Sequence, residues 1–170
     1  MLLVENDPWP DWFRGLRRSA FHLEVRDSYS EPAENERLRA FLAGEEPPEE
    51  EPVPWHALMR ETTQRGVSVS RVRVVTEPLS DYHRWLLTIT ARNIASGEDI
   101  RYVPRHLAGT VPADDFWLFD DEWVVYNVVD EIGRPRGAAV TIDPSVAEYA
   151  RASRDRLWTS AVPFSSYAAG

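Results

Sequence analysis

Apolar residues recur in two rhythms along this chain, and the switch between them sets out its elements. Trp9, Trp12, Phe13 and Leu16 fall at helical spacing, with Asp7 and Pro8 placed to cap and start a helix. Phe21 to Val25 alternates as a short strand does, and Ser30-Glu31-Pro32 opens a second helix with Leu38, Phe41 and Leu42, ended by Gly44. Trp55, Leu58, Met59 and Thr62 form one face of a third helix that stops at Gly66. The valine-rich run Val67 to Val75 predicts a strand, Leu79 to Ser96 a long helix ended by Gly97, and Asp99 to Val103 another strand. That helix–strand–helix–strand order implies a crossover connection and at least one parallel strand pair. Farther on, Phe116 to Phe119 and Trp123 to Val129 predict a hairpin about Asp120-Asp121-Glu122. Turn residues between Asp130 and Gly137 lead to a strand over Ala138 to Ile142. Asp143-Pro144 then caps a terminal helix with Val146, Tyr149, Ala150, Ser153 and Leu157 on one face.

These elements fit one α/β domain over residues 1–170, with a mixed sheet flanked by helices and no internal repeat. Residues 45–54 are nearly all glutamate and proline, which cannot build a core; they predict an exposed acidic loop, or alternatively an acidic docking segment. No apolar run approaches the ~20 residues that span a bilayer. The start turns acidic at Glu5 without a basic region, so no secretory signal is expected and a cytoplasmic location is the default.

Charge narrows the chemistry. The net charge is −9, which disfavours direct nucleic-acid binding. The chain has no lysine and no cysteine, so mechanisms needing an ammonium nucleophile or a thiolate are closed to it. His22, His56, His83 and His106 show no short helical pairing, so neither a metal nor a cofactor is expected. No nucleophile elbow, phosphate loop or dinucleotide fingerprint occurs. Arg71 and Arg73 lie two apart on a strand and share a face. With Ser80, Tyr82, Arg84 and Arg101 they form the candidate ligand-binding group, since arginine forks grip anions and open α/β sheets bind ligands beyond strand carboxyl ends. The alternative is that these arginines pair internally with Glu77, Asp81, Glu98 and Asp99. Asp114, Asp115, Asp120, Asp121 and Glu122 offer oxygens for a hard cation, although a solvated turn explains them more simply. Trp117, Phe119, Trp123 and Tyr126 place rings on each face of the hairpin, as core or as interface.

The run from Arg71 to Tyr82, with Gly97-Glu-Asp-Ile-Arg101, Phe21-His-Leu-Glu24 and Phe41-Leu-Ala-Gly44, resembles an actinobacterial family of unknown function often encoded near helix-turn-helix regulators. The element order is also similar to half of a phospholipase D-like domain with an N-terminal helical extension. Active members of that class carry a His-x-Lys and an aspartate at the hairpin. Here the corresponding stretch, Ala113 to Asp121, has neither histidine nor lysine. These resemblances imply a non-catalytic regulatory or interaction protein partnered by a helix-turn-helix regulator, and the arginine group adds the expectation of a small anionic ligand. The resemblances leave room for a homodimer, and the rival is a hydrolase or phosphodiesterase built on arginines and carboxylates. That rival needs a carboxylate of raised pKa in a cleft beside an arginine.

Overall fold

Why this chain folds around its middle is clearest at β3 (Ser68–Val75), the valine-rich strand, whose residues from Arg71 to Val75 are all buried. In the computed structural model the described residues are 1–4, 7–30, 32–45, 53–131 and 135–169. The preceding elements are β1 (Leu2–Val4), α1 (Trp9–Gly15), β2 (Ser19–Glu24), α2 (Pro32–Ala43) and α3 (Pro54–Gln64). After β3 come α4 (Asp81–Ala95), β4 (Glu98–Pro104) and a single 3-10 turn, Arg105–Leu107. The hairpin strands β5 (Phe116–Phe119) and β6 (Trp123–Val129) follow, then β7 (Pro135–Thr141), α5 (Pro144–Ser160), β8 (Val162–Pro163) and α6 (Phe164–Tyr167). The acidic stretch predicted over 45–54 lies largely outside the described residues.

One mixed sheet orders its strands β1-β7-β6-β5-β2-β3-β4-β8. β3 runs parallel to both β2 and β4, as the crossover order predicts, and the hairpin side is antiparallel. Alternation then splits the core in two. Phe21, Leu23, Val72, Val74, Phe116 and Leu118 pack on one face against Ala147, Ala150 and Leu157 of α5. Ala20, Val69, Trp117, Phe119 and Val125 pack on the other against Phe13 of α1 and Leu58 and Met59 of α3. The Val, Leu, Met and Phe side chains among them contribute roughly 1.5–3 kcal/mol each when fully buried. The hairpin rings divide as expected, Trp117 and Phe119 toward α1 and Tyr126 toward Phe116 on the α5 side.

Local chemistry fixes the joints. Ser80 caps α4 by accepting a hydrogen bond from the His83 backbone N–H at 3.1 Å, so the helix starts two residues later than its apolar pattern suggests. Asp120 and Asp121 both hold positive φ, 51° and 63°, and Glu122 N–H donates to Phe119 O at 3.0 Å, the geometry of a tight hairpin turn. The Asp120 carboxylate accepts from the backbone N–H groups of Arg17, Arg18 and Ser19 at 3.0, 2.7 and 2.9 Å, which ties the hairpin to the entry of β2. Two apolar readings needed correction. Tyr149 is 53% exposed and Leu42 50% exposed, and α5 instead buries Ala147, Ala150, Ser153 and Leu157. Small residues on that face let α5 approach the sheet, which a tyrosine would hold off.

Candidate functional site

Because they alternate on β3, Arg71 and Arg73 project from the same face and meet two carboxylates that flank them, Glu24 at the end of β2 and Glu98 at the start of β4. Arg71 donates to Glu24 Oε1 at 2.6 Å and to Glu98 Oε1 at 2.8 Å. Arg73 pairs with the other Glu24 oxygen, and donates to Thr90 Oγ1 at 2.8 Å and Tyr102 OH at 2.7 Å. The Trp55 indole N–H donates to Glu98 Oε2 at 2.9 Å. Arg71 is held between rings, its guanidinium carbon 5.9 Å from the Trp55 centroid and 5.6 Å from that of Trp117. Burial alone would raise the Glu24 pKa, but Arg71 and Arg73 overcome it and hold the carboxyl far below its usual range. The His22 imidazole stacks on Trp117 at 4.1 Å, and neither ring nitrogen has a hydrogen-bond partner among the described residues. Burial, against the pull of Glu24 and aided by Arg71 and Arg73, lowers its pKa to about 3 and keeps it neutral.

The other predicted site residues are placed elsewhere. Ser80 is a cap whose hydroxyl donates to Asp27 O at 2.5 Å. The hydroxyl of the buried Tyr82 donates to Glu34 at 2.7 Å. Arg84 is exposed and paired with Asp81. Arg101 lies 4.0 Å over Trp158 and 3.8 Å from Asp99. The structure therefore brings Arg71 and Arg73 together but not the group of six. Glu98, Asp81 and Asp99 are partners as the alternative reading has it, whereas Glu77 accepts from Tyr167 instead, at 3.0 Å. Glu24, the acid shared by both buried arginines, is the partner that sequence reasoning missed.

Next to this network, on the same face, opens a cleft of about 990 Å³. α1 supplies Trp9 and Arg14 and α3 supplies Trp55 and Glu61. The segment after β2 brings Arg26 and Tyr29, and Asp114, Asp115 and Trp117 come from the entry and body of β5. Neither Arg71 nor Arg73 lines it. Arg14 lies 3.5 Å from Glu61 and Arg26 lies 3.7 Å from Asp114, so both cleft arginines are already paired. Asp115 is different. It is 7% exposed and accepts from the Val25 backbone N–H at 2.6 Å. Burial raises its pKa to about 6, with Glu24 adding to the rise, while bonds from Tyr29 and Val25 and the charge of Arg26 oppose it. The Tyr29 hydroxyl is itself pushed up, by burial first and then by Glu24 and Asp115. A carboxylate directly preceding a strand that is buried throughout was the available signal for Asp115.

Among the described residues no cluster of three or more His, Asp or Glu is arranged to hold a metal. His56 Nε2 lies 2.9 Å from Asn93 Oδ1, and His83 is buried beside Asp27, 3.9 Å away. The hairpin acids are dispersed, Asp120 to backbone N–H groups, Asp121 to Arg154 and Glu122 to Arg18 at 2.8 Å. No helix of the described residues is long and apolar enough to cross a membrane.

Comparison with known proteins follows the fold. Nuc, a phospholipase D family member from Salmonella typhimurium, is similar at a TM-score of 0.52 and 15% identity, over 91% of this chain and 86% of that one. TrmBL2, an archaeal chromatin protein whose structure is described as showing a novel mode of DNA binding, gives a TM-score of 0.48 at 12% identity. The match covers 90% of this chain but 48% of TrmBL2, so the chain spans about half that protein's length. At 15% identity the likeness to Nuc is one of fold, and it agrees with the mixed α/β, phospholipase D-like architecture expected from element order. No curated protein matches. A family model described as Domain of unknown function (DUF6879) matches residues 7–169, and the chain belongs to that family.

Proposed function

We propose that this protein is a non-catalytic binding module that works with a DNA-binding regulator of the helix-turn-helix kind and takes a ligand in the aromatic cleft. The observation that carries this reading is the state of the charges. Arg71 and Arg73, the groups best suited to grip an anion, are neutralised by Glu24 and Glu98, and the open cleft beside them presents rings and a carboxylate. The ligand site therefore moves from the arginines, where an anion was expected, to the cleft. The partner rests on the resemblance to proteins encoded near such regulators. Affinity-tagged chain expressed in its native host should co-purify with a stoichiometric companion carrying a DNA-binding domain, and recovery of the chain alone would sink the partnership.

A second reading draws on Asp115, whose raised pKa in a cleft containing Arg26 is what a hydrolase using arginine and carboxylate would need. Against it, Arg26 is held by Asp114 and the acid-lined cleft repels a phosphodiester. Turnover of bis-p-nitrophenyl phosphate that disappears in Asp115→Asn would favour the enzyme over the binding module.

A further inference from the structure

Among the described residues, the buried polar row on this face of the sheet holds more carboxylates than guanidiniums. Three carboxylates, Asp115, Glu24 and Glu98, stand against two guanidiniums, Arg71 and Arg73. Asp115 feels Glu24 as a like charge, and the nearest cleft arginine gives its ion pair to Asp114. His22, the remaining basic group in the row, is held neutral by its surroundings. A buried carboxylate held by neutral donors and no direct ion pair is costly unless a cation compensates it. In the network, that compensation takes one form: a guanidinium clasped by carboxylates and laid against the rings of Trp55 and Trp117. The cleft repeats those parts, a buried carboxylate beside the rings of Trp9, Trp55 and Trp117. Asp115, Trp9, Trp55 and Tyr29 line it together, and its volume is at the upper end of small-ligand sites.

From this juxtaposition we infer that the cleft binds an organic cation, a guanidinium or ammonium head on an apolar stem, with the head at Asp115 and the stem against Trp9 and Trp55. The inference rests on the reading of the cleft as the ligand site. Cation–π attraction and a desolvated carboxylate favour such a ligand together, whereas an anion of the same shape meets Asp114, Asp115 and Glu61.

Calorimetric titration of the full chain above neutral pH tests it with phenethylammonium, phenylethanol and phenylpropionate, three probes of similar stem and different head charge. Phenethylammonium should bind saturably and more tightly than phenylethanol, with phenylpropionate weakest. Asp115→Asn should weaken the ammonium by about tenfold or more while sparing phenylethanol, as expected for loss of a charge-assisted contact. Should that variant not fold, Trp9→Leu supplies a second reading, a several-fold loss for the cation, with exposed Asp155→Asn on α5 as the unaffected control. Capped arginine amide then distinguishes sources, binding more tightly than the free ammonium if the head arrives on a polypeptide and less tightly if it arrives on a small molecule. Phenylpropionate binding as well as phenethylammonium, cation affinity unchanged in both variants, or no binding of any cation would each overturn the inference. Binding of the cation with no regulator captured would sink the partnership alone, and capture of the regulator with no cation bound would sink this inference alone.

Discussion

Glu24 is the residue on which most of the buried charge depends, since among the described carboxylates it alone pairs with both Arg71 and Arg73. Glu24→Gln keeps the shape and removes the charge, leaving two buried guanidiniums with one carboxylate. Breaking a buried pair from one side costs about 3–5 kcal/mol, so urea denaturation should show a loss of that order. Asp115 works in the opposite sense. Its folded pKa of about 6 lies above the ordinary 3.8, so the folded state holds the proton more tightly than the unfolded chain does. That contribution is fully present below the unfolded value and is lost as pH rises through about 6. Two units correspond to about 3 kcal/mol at most. Asp115→Asn should therefore raise the melting temperature above neutrality and not in acid. His22, depressed from 6.5 to about 3, contributes stability that is present above 6.5 and lost as pH falls toward 3. The two offset each other in mild acid, and the Asn variant should lose stability on acidification more steeply than the parent.

At the level of elements, periodicity was a good guide where one face is apolar and the other wet. The span of β5 and β6, the buried face of α3 and the start of α5 all follow from alternation or helical spacing with a turn or cap residue beside them. β1 and β8 were illegible because strands of three and two residues carry too little pattern. The site was legible only in part. That Arg71 and Arg73 share a face is local geometry, but their partner Glu24 is 47 and 49 residues away and pairs with them only through parallel strand register. The cleft draws on α1, α3, the segment after β2 and β5, which no local spacing brings together. Joints between elements give a sharper test. Gly97, between α4 and β4, has φ +111°, and a methyl there would lie 2.8 Å from Thr63 Cγ2 and 2.9 Å from Thr63 Cβ. Gly66 has φ +88° with nothing within 4 Å. Gly97→Ala should thus cost clearly more than the roughly 1–3 kcal/mol of backbone strain that Gly66→Ala pays alone, measured by paired denaturation curves.

Taken as a whole, the molecule is a sheet whose two ends are closed by very short strands. β8 is two residues long and carries Pro163, and β1 is three residues long and pairs only with β7. Short edges and edge prolines discourage strand addition by another chain. Removing residues 1–4 would bare the longer β7, Pro135–Thr141, and sedimentation velocity should then show self-association that increases relative to the intact chain. The two faces also differ in how they meet light. Of seven tryptophans, Trp9, Trp12, Trp55, Trp117 and Trp123 belong to the α1/α3 face, whereas Trp158 lies with α5 and Trp85 with α4. Trp9 and Trp12 meet edge to face at 5.4 Å and 85°, and Trp12 meets Trp123 at 5.7 Å. Indoles this close exchange excitation and couple their transitions, so near-ultraviolet absorption and emission are dominated by one side of the sheet. Loosening of the cleft face would change the spectrum strongly. Loosening of the α5 face would reach Trp158 and change the spectrum less.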